Sequence, residues 1–180
     1  YFNSNSEEAI NKEFVNYYSS LYPTITSNQP VRLTDSFRNG KNEIIIEEYY
    51  TIAEFWTKDE TLGLYKCQTE PLVLESMLEY SSSPQRTMPY YLGEPYEFEQ
   101  RTTISLPEYW DIKNTKSNID EESFAYSMKT RSVGKTLEIK HDYKLKKNKL
   151  AASEVPDFLK HHEKINNGIG YQLTHPGKEF

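Results

Sequence analysis

Residues 123–146 read SFAYSMKTRSVGKTLEIKHDYKLK, and this stretch decides the class of the fold. Apolar side chains take alternate positions in its first half, at Phe124, Tyr126 and Met128. After a break at residues 132–135, the same alternation resumes at Leu137, Ile139, His141, Tyr143 and Leu145. A period of two is typical of a strand with one buried face, and a short glycine-containing break between two such runs predicts an antiparallel hairpin.

A second hairpin is predicted upstream, over residues 30–52, PVRLTDSFRNGKNEIIIEEYYTI. Its first strand alternates up to Asn39-Gly40, a dipeptide that favours tight hairpin turns. In the return strand Ile44, Ile46, Glu48, Tyr50 and Ile52 share one face. Glu48 therefore lies among apolar neighbours, and it is the carboxylate for which we expect burial.

A long strand is predicted within residues 86–110, RTMPYYLGEPYEFEQRTTISLPEYW. A proline-rich arm comes first, and it leads into a run in which inward-facing and outward-facing residues alternate. The residues on its inner side are Tyr96, Phe98, Gln100, Thr102, Ile104 and Leu106. The arm and the strand end carry five aromatic residues that could form a contact surface or a domain interface: Tyr90, Tyr91, Tyr96, Tyr109 and Trp110. Rings of this kind can also pack within the core, because a tyrosine buries its ring while its hydroxyl stays hydrogen-bonded.

Helical periodicity predicts three helices. Residues 4–23 carry an apolar stripe, a capping box at Ser4 and Glu7, and a stop at Pro23. Residues 71–80 predict a short helix, and residues 153–168 predict another with Ser153 as its cap. The inner face of this last helix is predicted to consist of Phe158, Leu159, His162 and Ile165. Residues 53–60 favour a turn or a single helical turn, whereas residues 64–70 and 170–174 favour strands.

Together these elements predict a mainly β protein, an antiparallel two-sheet β-sandwich with an N-terminal helix and short helices at the connections. The helix and its lead-in occupy residues 1–29 and the sandwich residues 30–180, or the chain forms one continuous domain over residues 4–174. The serine run at 81–84 is too short for a linker between independent domains.

The composition of the chain limits the classes of partner that it is expected to bind. The formal charge is −6, which disfavours nucleic acid, and no stretch approaches the roughly 18 apolar residues of a membrane helix. One basic cluster, Lys140, Lys144, Lys146, Lys147 and Lys149, is interpreted as a solvated strand end. Because the sequence starts at Tyr1 and not at Met, we expect an excised fragment, with any targeting segment upstream.

No residue pattern specifies a reaction. Cys67, the single cysteine, lies in a predicted strand and lacks the helix N-terminus that would activate a thiol. His161 and His162 are adjacent on a predicted helix, where their side chains diverge by about 100° and do not match the spacing of a zinc site. His141 and His175 complete the histidines, and we expect no catalytic residue, metal or cofactor.

The chain resembles a family of bacterial proteins over about residues 12–173. The residues that carry the resemblance are Arg86-x-x-Pro89, Pro95-Tyr96, Arg101, Ile104-x-Leu106-Pro107, Trp110, and the final helix with Phe158. These proteins carry an N-terminal β domain of unknown function, a transglutaminase-like core of papain type, and a C-terminal β-rich domain. The chain is similar to this last domain.

The resemblance implies an accessory module that packs on, or presents substrate to, a transglutaminase-like core upstream. The Cys-His-Asp triad belongs to that core, so the chain itself is not expected to be an enzyme. The aromatic arm would then anchor one sheet region to the next, and the compartment would be the periplasm or cell envelope. Two alternatives stay open: a carbohydrate- or peptide-binding module of the bacterial envelope that uses the clustered Tyr and Trp, and an enzyme that depends on Cys67 or a metal.

Overall fold

The computed structural model describes residues 4–37, 40–80 and 86–176 of the chain. These described residues form 11 strands in several antiparallel sheets, and 44% of them lie in strands and 21% in helices. The prediction of a mainly antiparallel β fold with an N-terminal helix and short connecting helices is therefore confirmed. The chain divides into two compact units, a first that reaches Cys67 and a second that runs from Gln68 to Leu173.

The first unit begins with a helix whose start is displaced from the predicted one. Its elements are α1 (Glu7–Ser19), β1 (Ile25–Asp35), β2 (Ile44–Ile52), β3 (Thr57–Asp59) and β4 (Leu64–Thr69). Ser6 is the N-cap of α1, because its hydroxyl oxygen accepts a hydrogen bond from the Ala9 amide at 3.2 Å. The predicted cap at Ser4 was wrong, since residue 4 lies outside the helix in a turn.

The β1–β2 hairpin is confirmed, with a longer first strand than the alternation predicted. The two strands pair antiparallel from Ile25 opposite Ile52 to Asp35 opposite Ile44. Gly40 has a φ of +75°, which L side chains rarely adopt, while Asn39 lies outside the described residues. Residues 53–60 contain a turn at residues 53–54, as one of the two predicted possibilities, but no helical turn. Residues 57–59 form β3, which pairs with β4.

The second unit is built around a four-stranded sheet. Its elements are α2 (Leu72–Met77), β5 (Tyr90–Tyr91), β6 (Tyr96–Ser105), β7 (Lys116–Asp120), β8 (Phe124–Val133), β9 (Thr136–Leu145), β10 (Lys149–Leu150), α3 (Val155–Asn166) and β11 (Tyr171–Pro176). The strand order in the main sheet is β6-β9-β8-β7, and all its neighbours are antiparallel. The predicted β8–β9 hairpin is confirmed: Val133 pairs with Thr136 around Gly134, whose φ is +60°.

The core of the second unit lies on the inner face of this sheet. Phe124, Tyr143 and Leu145 from the sheet pack against Leu74 of α2 and Phe158 of α3. The alternation of β6 is reproduced, with half-buried and exposed residues in strict succession. A polar residue on that inner face also joins α2 to the sheet, because the Gln100 side-chain oxygen accepts from the Leu74 amide at 3.1 Å.

Helix α3 presents the predicted inner face to this core. Phe158, His162 and Ile165 are buried, and Leu159 is partly buried against them. The predicted cap at Ser153 was wrong. A 3-10 turn at Ala152–Glu154 leads into the helix instead, and the Glu154 carboxylate accepts from the Ala151 amide at 2.7 Å.

Candidate functional site

The buried polar groups of the second unit form a continuous hydrogen-bonded chain, which we call the Tyr80–His162 chain. The Tyr80 and Tyr143 hydroxyls lie 3.2 Å apart, and the Tyr143 hydroxyl lies 3.0 Å from His162 Nε2. On the other side of the imidazole, His162 Nδ1 lies 2.9 Å from the Phe158 carbonyl oxygen. Tyr96 extends the chain through a hydrogen bond with Tyr80.

The direction of the hydrogen bonds in this chain follows from its last partner. A carbonyl oxygen can only accept, so His162 donates from Nδ1, and in the neutral ring Nε2 is then the acceptor. Tyr143 must donate to Nε2 and can accept from Tyr80. The chain therefore stabilises one tautomer of His162 and joins β9 to α3 without a net charge.

Aromatic rings enclose His162. The ring centroids of Phe158, Phe124 and Tyr80 lie 4.0, 4.4 and 4.8 Å from that of the imidazole. Burial lowers the pKa of His162 to about 4, although its hydrogen bond to the Phe158 carbonyl opposes this shift. A ring that is 2% exposed and neutral at physiological pH serves as a structural partner for Tyr143.

His141 shows the same pattern on the sheet itself. It is 2% exposed, and its Nδ1 atom lies 3.1 Å from the Tyr126 hydroxyl. Burial lowers the pKa of His141 to about 4 and raises that of Tyr126 to about 12. Both buried imidazoles are thus held neutral inside the core.

Cys67 and His161 lie in different environments. Cys67 is buried in β4 with 4% of its surface exposed, whereas an enzyme that depends on Cys67 would need an exposed thiol. His161 is half-buried, with its ring centroid 6.3 Å from that of Phe124, and its Nδ1 atom lies 3.6 Å from the Glu121 carboxylate. Within residues 4–37, 40–80 and 86–176, no group of three or more His, Cys, Asp or Glu side chains is arranged to hold a metal ion.

The first unit places Glu48 in a cluster with two tyrosines. Its carboxylate accepts from the Tyr50 hydroxyl at 2.7 Å and is also hydrogen-bonded to Tyr18. Burial raises the pKa of Glu48, and the two tyrosine donors oppose that shift. Because Tyr18 belongs to α1 and Tyr50 to β2, this cluster joins the helix to the base of the hairpin.

The five aromatic residues of the arm divide between packing and exposure. Trp110 is buried, and Tyr96 packs in the core with its ring centroid 5.8 Å from that of Tyr143. Tyr90 is half-buried under the Arg86 guanidinium, which lies 4.5 Å from its centroid. Tyr91 and Tyr109 remain 64% and 67% exposed.

Four lysines of the predicted basic cluster have acidic partners. Lys140 pairs with Glu99 and Asp142 at 2.9 and 2.8 Å. Lys144, Lys146 and Lys147 pair with Glu97, Asp120 and Glu122. These lysines therefore do not form a free cationic surface.

A surface that the sequence analysis did not identify lies at the distal end of the β1–β2 hairpin. Leu33 and Ile46 face each other across the strands and are 40% and 43% exposed, and Ile44 beside them is 67% exposed. Ile45 on the opposite face is 43% exposed, and Phe37 near the turn is 71% exposed. We call these five residues the hairpin surface. The signal in the sequence is Ile44-Ile45-Ile46 itself, because three consecutive apolar residues in a strand make both faces apolar.

Comparison with known protein families assigns the second unit to one of them. A family model described as a domain of unknown function with a solved structure (DUF3858) matches residues 65–174, more than half of the chain. The chain therefore belongs to this family, whose matched region begins within β4 and covers the main sheet and α3. Comparison with curated proteins and with solved structures found no match. No helix among the described residues has the length and apolar composition needed to cross a bilayer.

Proposed function

We propose that the chain is a non-catalytic accessory β module of a transglutaminase-like protein, and that it packs on that protein's core domain. The hairpin surface is the observation that carries this proposal. The resemblance described above supplies the identity of the partner, and the family model supports the assignment of the second unit to a β-rich domain of unknown function.

The hairpin surface needs a covering partner for a physical reason. Helix α1 contacts the base of the hairpin, where the Asn11 side chain accepts from the Val31 amide at 2.9 Å and Tyr18 reaches Tyr50. Beyond this point, Leu33, Ile44 and Ile46 stay exposed on one face. A two-stranded ribbon is marginally stable in water, and covering each such side chain contributes about 1.5–3 kcal/mol.

The buried thiol and histidines support a binding role over a chemical one. A nucleophilic cysteine needs access to substrate and a nearby group that lowers its pKa. The thiol of Cys67 and the imidazoles of His141 and His162 are all 4% exposed or less. In the proposed protein, therefore, the reaction belongs to the core, and this module contributes contact area.

The test is a binding titration between this chain and the transglutaminase-like core encoded in the same reading frame, expressed separately and followed by calorimetry. We expect saturable binding that Ile46→Glu weakens by about tenfold or more, because a carboxylate would be buried against an apolar partner. Asn16→Glu is the matched control: it adds the same charge to an exposed residue of α1, outside the hairpin surface, and should retain binding.

Two results would reject the proposal. One is a reading frame that encodes no transglutaminase-like core. The other is an affinity that Ile46→Glu leaves unchanged while circular dichroism shows that the fold is intact.

The exposure of Tyr91 and Tyr109 favours a second candidate, a carbohydrate- or peptide-binding module. Exposed tyrosines can stack on sugar rings at a small cost in side-chain entropy. A glycan array compared between the native chain and Tyr91→Ala/Tyr109→Ala would test it. Signals that persist unchanged in the double variant would assign the binding to another part of the surface.

A further inference from the structure

The register of the main sheet aligns four basic residues in one row across all its strands. On the face opposite the core, Arg101 of β6 lies opposite Lys140 of β9, which lies opposite Lys129 of β8. Lys129 in turn lies opposite Lys116 of β7. We call these four residues the cation row. Directly opposed like charges destabilise a sheet, since their side chains approach to about 5 Å.

Acidic neighbours neutralise one half of the cation row. Arg101 contacts Glu99 at 2.8 Å and Glu138 at 3.8 Å. Lys140 contacts Glu99 and Asp142, and these two hydrogen-bonded carboxylates raise its pKa. The charge of the β6–β9 half is therefore balanced within the sheet.

The other half is not balanced in this way. Lys116 and Lys129 are exposed, and no carboxylate lies within ion-pair distance of either one in the part of the chain that the structure describes. Arg131, two residues further along β8 on the same face, lies directly opposite Glu138 of β9 and so has an acidic neighbour across the strands. Two exposed cations, Lys116 and Lys129, thus gather at the β8–β7 end of the sheet, although the protein as a whole carries a net charge of −6.

This end of the sheet is also an edge. In the strand order β6-β9-β8-β7, the described residues of β7 pair with β8 alone. Four of the five residues of β7 are exposed, in the pattern expected of an edge strand. An unpaired strand edge offers main-chain donors and acceptors to an incoming extended segment.

We propose that β7 and the unbalanced half of the cation row form a docking edge for an extended acidic protein segment. The segment adds to the sheet as a further strand and places a carboxylate beside Lys116, at the end of the row. Main-chain hydrogen bonds to β7 supply affinity, and the charge complementarity to Lys116 and Lys129 selects acidic side chains on that face. The alternative is that the lysines only protect the edge from association.

Fluorescence anisotropy with labelled peptides of about seven residues, a usual strand length, tests the proposal on the full chain at low salt. We expect a peptide of alternating Val and Glu to bind and a peptide of alternating Val and Gln to bind at least about tenfold more weakly. The double variant Lys116→Glu/Lys129→Glu should weaken binding of the Glu peptide by about tenfold or more. Each substitution removes an exposed ion pair with the peptide and puts two like charges in its place.

Two controls separate the possible outcomes. Lys160→Glu, at an exposed position of α3, makes a charge reversal away from the row and should leave binding unchanged. A Glu peptide with proline at its centre retains the charge but cannot form the complete ladder of hydrogen bonds. Equal binding of the proline peptide would overturn strand addition, and the absence of saturable binding by the Glu peptide would overturn the docking edge altogether.

Discussion

Acidification should destabilise the second unit because two histidines are buried in it without charge. Burial lowers the pKa values of His141 and His162 from 6.5 to about 4. Between these values the unfolded chain binds more protons than the folded chain. The stabilisation is therefore fully present above about pH 6.5 and is lost progressively as the pH falls toward 4.

The size of the effect follows from linkage. At about pH 5 each histidine has lost roughly 2 kcal/mol of its contribution, since 1.5 pH units below the unfolded pKa correspond to about that free energy. The two rings together account for about 4 kcal/mol. This loss is a large part of the about 5–15 kcal/mol by which ordinary domains are stable.

Other titratable groups in the second unit change the size of this pH-dependent loss of stability. The Asp142 carboxylate raises the pKa of His141 slightly, against the effect of burial. Burial and the neighbouring carboxylates of Glu70 and Glu79 raise the pKa of Glu75, so its protonation favours the folded state as the pH falls. The lowered pKa of Glu154 acts in the same direction as the histidines, at more acidic pH.

Urea unfolding from about pH 8 to about pH 5 measures the loss. Trp56 lies in the first unit and the buried Trp110 in the second, so a Trp56→Phe background makes the fluorescence report on the second unit. In that background His162→Gln should halve the pH-dependent loss. His161→Gln, which removes the half-exposed neighbour, should retain most of it, because the charge of His161 lowers the pKa of His162 less than burial does. A free energy of unfolding that is the same at both pH values would refute the argument.

Four further predictions concern single positions. Tyr143→Phe should cost about 1–3 kcal/mol in urea unfolding, because it leaves the Nε2 acceptor of buried His162 unpaired; a neutral effect would contradict the assigned hydrogen-bond direction. Gly134→Val should cost about 1–2 kcal/mol, since its φ of +60° disfavours a branched side chain, and Gly134→Asn should cost less. Ser6→Ala should cost about 1 kcal/mol through the loss of the α1 cap, whereas Ser4→Ala should be neutral; the reverse order would restore Ser4 as the cap. Iodoacetamide should label Cys67 far more slowly in the native chain than in urea, because the thiol is 4% exposed, and equal rates would show that β4 opens readily.

Alternation predicted the strands well where one face was buried. In β6, β8 and β9 the apolar positions at every second residue match the buried face. The helix termini were predicted less well, because several serines near each start could act as caps. Ser6 and not Ser4 caps α1, and Glu154 and not Ser153 binds the free amide before α3.

Other features depend on long-range contacts that a single sequence does not specify. The Tyr80–His162 chain joins residues separated by 82 positions, and nothing local identifies Tyr80 as the partner of Tyr143. The cation row likewise requires the strand order and register, because its members come from four separate strands. The division at Cys67 also arises from packing and has no proline- or glycine-rich linker to mark it.

By itself the sequence determined the class of fold, both main hairpins and the inner face of α3, because side-chain period and turn residues act over a few positions. Only the tertiary structure decided which hydrogen-bond partners the buried histidines take, which lysines lack carboxylates, and which isoleucines stay uncovered. Those properties depend on what lies across from each side chain, and strand pairing brings together residues that are distant in the chain.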